Sequence, residues 1–140
     1  MTLTEIMITL VIISILGTFA MTTYVKAYEK SRGYQAVTVL RMIRTAERLY
    51  YLDWNTYTNL PNNACNSPLV TEGYMQCPNA VDPQERGFDY EVVALGNIYL
   101  ARTSRTGTGR YTGKRILMTV SCFPCPETIT WAGDWPWRPN

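Results

Sequence analysis

The chain has 140 residues, 46% of them hydrophobic and 17% charged, with a formal net charge of +2 and no histidine. That length suits one compact domain plus an extended element, not a multidomain enzyme. The missing histidine removes the commonest general base and metal ligand, and so small a charge argues against nucleic acid as a partner.

The apolar residues are concentrated at the beginning. Ile6 to Val25 is a run of 20 residues without a charge, enough at ~1.5 Å per residue to cross a hydrocarbon core of roughly 30 Å. A cleavable secretory signal needs a basic region ahead of its apolar core, and no Lys or Arg precedes this run. Glu5 sits at its edge, where an unpaired carboxylate facing lipid costs on the order of a few kcal/mol. A chain-terminal amine, its own or that of an adjacent copy, is the nearest available cation, because residues 1–4 carry no basic side chain.

The segment Met1-Thr2-Leu3-Thr4-Glu5-Ile6-Met7-Ile8, followed by Val11-Ile12-Ile13-Ser14-Ile15-Leu16-Gly17, resembles the N-terminus of mature type IV pilins and pseudopilins. Thr2, Leu3 and Glu5 match the motif of that family, while Met1 stands where phenylalanine is more usual. The resemblance implies that a prepilin peptidase cuts before Met1 and methylates the new amine. It implies that Glu5 sets inter-subunit registry by pairing with the Met1 amine of a neighbour, and it places Leu3, Ile6, Leu10, Ile13, Leu16 and Phe19 in a filament core. An assembly ATPase and a membrane platform protein are the implied partners in building the filament.

Beyond Lys26 the pattern turns amphipathic, with Ala36, Val39, Leu40, Ile43, Ala46, Leu49 and Tyr50 recurring at three- and four-residue steps. No proline occurs before Pro61, so one helix is predicted to run to about Asp53 with its apolar stripe against a head. Ser14, Gly17, Thr18, Thr22 and Thr23 weaken helix propensity within the apolar run, and local unwinding is expected there. The segment from Ala46 to Tyr57 resembles the helix end and following loop of pseudopilins, with Thr58 where many relatives have proline.

Residues 61–87 hold four prolines and two cysteines and read as a long connecting loop. Cys65, Cys77, Cys122 and Cys125 are expected to form disulfides, and four cysteines allow three pairings. The run from Phe88 to Leu95 and the run from Ile98 to Arg102 flank Gly96-Asn97, a two-residue hairpin signal. A third strand is expected from Arg115 to Val120, and the glycine- and threonine-rich stretch from Thr103 to Gly113 reads as an exposed loop. Cys122-Phe123-Pro124-Cys125 has redox spacing, but Pro126 follows at once and no amphipathic helix comes after to lower a thiol pKa. The tail from Trp131 to Pro139 is read as an aromatic cover over the sheet.

The expected fold class is therefore α+β, a long N-terminal helix packed on a small antiparallel sheet. Residues 1–25 form a transmembrane and filament-core half-helix, 26–53 an amphipathic half-helix, and 54–140 a head. No catalytic residue, metal or cofactor is expected. The expected function is structural: a single-pass subunit of the cytoplasmic membrane that stacks with its own copies into an extracellular pilus-like filament serving adhesion, motility or DNA uptake. The alternatives are a major pseudopilin of a type II secretion system and a monomeric membrane-anchored binding module. Major pseudopilins usually bind calcium in the C-terminal head, and beyond Glu91 only Glu127 and Asp134 are carboxylates, which favours the pilin.

Overall fold

The computed structural model describes residues 2–62, 65–78, 80, 87–106, 112–120, 126–133 and 135. Its elements are α1 (Leu3–Trp54), α2 (Pro68–Thr71), β1 (Phe88–Leu95), β2 (Ile98–Arg105), β3 (Arg115–Val120) and β4 (Thr128–Ala132). A long helix followed by an antiparallel sheet is the expected α+β class. By compactness the chain divides after Gly33, and the two units are taken in turn.

In the first unit α1 stays helical through residues 14–23, against the expected unwinding. The hydroxyls that weaken helix propensity find acceptors on the helix itself. Ser14 Oγ donates to the Leu10 carbonyl at 2.7 Å and Thr18 Oγ1 to that of Ile15 at 2.7 Å, while Thr22 and Thr23 both reach the Phe19 carbonyl, at 3.1 and 3.3 Å. With these polar groups satisfied locally and no proline to remove a backbone donor, nothing in the isolated chain opens the helix.

In the second unit the sheet runs β1-β2-β3-β4, every neighbour antiparallel. Strand alternation puts Phe88, Tyr90, Val92, Tyr99, Ala101, Ile116, Met118, Val120 and Trp131 on the buried face. Ala36, Val37, Leu40 and Ile43 of α1 complete the same core. The helical stripe is thus as expected at its centre, but Leu49 is 48% exposed. Ala46 and Tyr50 turn instead to a second cluster with Leu69. α1 ends where Asn55 takes a left-handed φ of 52° and its N–H bonds the Tyr51 carbonyl at 2.8 Å, a conformation asparagine tolerates better than most residues.

Three expectations are corrected. The segment read as a loop from Thr103 begins as strand, because Thr103 and Ser104 pair with Ile116 and Arg115 and Thr103 is buried. The connection read as a long loop contains α2, a single turn started by Pro68. The start of the aromatic tail joins the sheet as a strand: Thr128–Ala132 is β4, paired to β3 with Trp131 opposite Ile116, while residues 134 and 136–139 of the tail lie outside the described residues. Trp135 then packs edge-on to Trp131 and stacked on Phe88, with centroids 5.5 and 6.4 Å apart. Glu127, just ahead of β4, accepts from Arg41 Nε at 3.1 Å and Arg44 Nη1 at 2.6 Å, tying the late strand to α1.

The β1–β2 hairpin closes at Gly96 and Asn97, with Leu95 opposite Ile98. Gly96 has φ 64° and open space where a Cβ would sit. Gly96→Ala is therefore expected to lower head stability by about 1–2 kcal/mol through backbone strain alone, seen as a reduced denaturant midpoint with an unchanged slope.

Candidate functional site

From Ile6 to Val25 the helix of the first unit carries no charge and is exposed on every side, the pattern of a segment suited to cover by lipid or by other helices. Leu3, Ile6, Leu10, Ile13, Leu16 and Phe19 are all exposed, Ile6 at 48% and Phe19 at 73%. Among the described residues, α1 is the one helix long and apolar enough to cross a membrane. The hydroxyl bonds along residues 14–23 matter here for a second reason: in hydrocarbon no water would be available to satisfy those groups.

At the start of α1 stands a capping arrangement that the Thr2-x-x-Glu5 spacing signals. The Thr2 backbone N–H donates to Glu5 Oε2 at 2.8 Å, and Thr2 Oγ1 donates to the same oxygen at 3.2 Å. The Glu5 N–H bonds back to the Thr2 carbonyl at 3.1 Å. A carboxylate in the first turn also meets the positive end of the helix dipole. In the single chain, then, Glu5 is held by Thr2, a partner that sequence reading had overlooked in looking for a terminal amine. Met1 lies outside the described residues.

Of the four cysteines, Cys65 and Cys77 are joined in a disulfide with Cα atoms 5.3 Å apart, while Cys122 and Cys125 lie outside the described residues. The closed loop carries α2 and is fastened to the end of α1. Tyr74 Oη donates to Asp53 Oδ2 at 2.6 Å, Trp54 Nε1 donates to Glu72 Oε2 at 3.1 Å, and the rings of Tyr50 and Tyr74 meet edge-on at 5.5 Å.

A second constellation was not foreseen in the sequence. Glu47, on the stripe side of α1, is fully buried. Its Oε2 accepts from the Thr58 backbone N–H at 3.2 Å, and its Oε1 has no hydrogen-bond partner. Burial pushes its carboxyl up to about 8, opposed only in part by the Thr58 bond. The Tyr99 hydroxyl, also buried and unpartnered, is raised by burial and next by the neighbouring Glu47 charge. Tyr57 stacks on Tyr51 and meets Tyr99 at a tilt of 59°, with centroids at 4.8 and 4.9 Å. The signal available beforehand was one acid inside an apolar stripe, one step from Ala46 and three from Tyr50.

The opposite face of the sheet carries a polar cavity of about 100 Å³ lined by Asn62, Asp89, Glu91, Arg102, Ser104 and Arg115. Glu91 and Arg102 close an ion pair of 2.6 Å across it. Among the described residues no cluster of three or more potential metal ligands occurs.

No family model matches the chain, and no curated protein or solved structure matches it.

Proposed function

We propose that this chain is a membrane-anchored structural subunit of an extracellular helical filament of the type IV pilin kind. The observation that carries this reading is the apolar half of α1. It is exposed on every side and has one acidic residue at its N-terminal edge, a design that suits lipid first and a bundle of identical helices afterwards. Leu3, Ile6, Leu10, Ile13, Leu16 and Phe19 are the residues proposed to pass from one environment to the other. Because lipid tails are about as apolar as leucine, the transfer needs a directional contact to choose register. Glu5 supplies it by exchanging its Thr2 bond for the Met1 amine of the next copy, a pair strengthened by dry surroundings. Processing before Met1, an assembly ATPase and a platform protein complete the proposal by resemblance.

The test is electron microscopy of material sheared from cells that express the precursor as wild type, Glu5→Ala or Glu5→Gln. Gln can still accept the Thr2 N–H bond but carries no charge. Filaments in wild type and their loss in both variants, with each variant still in the membrane fraction, is the expected result. Filaments in all three would remove Glu5 from registry. A stable wild-type monomer without filaments would favour the anchored binding module, or a pseudopilin that needs its secretion machine.

A further inference from the structure

Glu47 takes no part in the filament reading, and its surroundings are unusual for an acid. It is completely buried, only one of its two oxygens has a donor, and that donor is the backbone of Thr58, 11 residues further along the chain. We propose that Glu47 is a proton-operated latch: protonated, it holds the segment following α1 against the sheet, and on losing its proton it releases that segment.

The Thr58 N–H donates to Glu47, and the Glu47 charge is felt at Tyr57 of the following segment and at Tyr99 of β2, where Arg44, Arg48 and Tyr51 of its own helix also act. Arg44 Nη1 is committed to Glu127 at 2.6 Å, and the Arg48 charge is felt at Tyr57 and Tyr99. Both tyrosines are held above the ordinary tyrosine range by burial first, so they stay neutral at the pH where Glu47 changes charge. A carboxylate formed here would be a buried charge with one oxygen lacking a donor, a state whose cost exceeds what a single backbone hydrogen bond returns.

Relief must come from the weakest cover. The helix is fixed by its own hydrogen bonds, and β2 is a central strand paired on both sides. Residues 55–60 are neither. They are attached by the Thr58 bond, the Tyr57 ring, the Ala94 N–H donated to Asn59 Oδ1 at 2.7 Å and an isolated bridge in which Leu60 and Val92 exchange backbone hydrogen bonds of 3.1 and 2.8 Å. Admitting water to Glu47 therefore begins by lifting Tyr57 and Thr58 off the sheet.

The direction in pH follows from linkage. The folded state holds the Glu47 proton up to about pH 8, whereas an exposed glutamate releases it near 4.5. Between those limits the folded state binds the extra proton, so this group's contribution is fully present below the lower limit and is lost as pH rises through the upper one.

The experiment uses the full chain in detergent micelles, with the Glu47 side-chain carboxyl followed by carbon-13 NMR and amide exchange measured in parallel. The carboxyl is expected to titrate well above the ordinary glutamate range. Exchange protection at Thr58 and Leu60, corrected for the intrinsic rate, is expected to fall at least tenfold between about pH 6 and about pH 9. Met118 in the core should keep its protection, and Glu47→Gln should flatten the profile at Thr58. A Glu47 midpoint at the ordinary value overturns the latch. So does a high midpoint with unchanged protection at Thr58, or the same pH profile in wild type and Glu47→Gln. Should the Gln variant not fold, the wild-type titration and exchange profile decide the matter together.

Discussion

Leu40→Ala is expected to lower the unfolding free energy of the head by about 2–5 kcal/mol, the range for deleting a buried leucine where neighbours cannot fully close the gap. Leu40 has no exposed surface and shares the core with Ile43, Tyr99, Ile116 and Met118. One wall of that core is a four-stranded sheet whose registers are fixed on both sides of β2 and β3, so little collapse is available and the upper half of the range applies. Leu49→Ala is the matched comparison on the same helix. With Leu49 48% exposed, its loss should stay within about 0.5–1 kcal/mol, small beside a core deletion. Guanidinium unfolding in micelles, followed by the tryptophan signal, checks both. Equal losses for the two variants would mean that the Leu40 side of α1 is not the face packed on the sheet.

Removing the Cys65–Cys77 bridge is expected to cost roughly 3 kcal/mol, the loop-closure value for a ring of this length. The bridge spans a sequence separation of 12 and encloses the only buried residue of α2, Leu69, which packs with Ala46 and Tyr50. A four-residue helix cannot hold itself together in water, so without the ring its contacts with α1 depend on the two side-chain bonds from Tyr74 and Glu72. A Cys65→Ser/Cys77→Ser double variant isolates this bridge from the other two cysteines. The expected signature has two parts: a lower unfolding midpoint, and new protease cleavage between residues 65 and 77 before the sheet is cut. A variant as stable and as resistant as wild type would show that packing on Tyr50 alone holds the loop.

The parts of the fold that were legible in the sequence are those where one local rule acts alone. A chargeless run of 20 residues and a proline-free amphipathic stretch mark α1 almost to its end. Gly96-Asn97 between two β-rich runs marks the hairpin to the residue. What escaped depends on partners far along the chain. Thr103 to Arg105 look like loop because hydroxyls and a charge predominate, yet pairing with β3 makes them strand. Thr128-Ile129-Thr130-Trp131 is short and hidden between proline-rich neighbours, and only the free edge of β3 gives it a reason to extend. Leu49 satisfies the helical spacing yet is 48% exposed, because spacing alone does not say how wide the covered face is. For the candidate site, the apolar run and Glu5 were readable from composition. The Thr2 bond was readable from the capping pattern, whereas the burial of Glu47 was not, since its cover comes from residues 11 and 52 positions downstream.

The loop that leaves α1 also seals a border. Leu60 exchanges two backbone hydrogen bonds with Val92, and Asn59 Oδ1 accepts the Ala94 N–H at 2.7 Å. Val92 and Ala94 are therefore spoken for along the outer side of β1, the side on which a foreign strand would otherwise add itself. Two residues of connecting chain thus act as a guard rail, closing this stretch of β1 to strand addition.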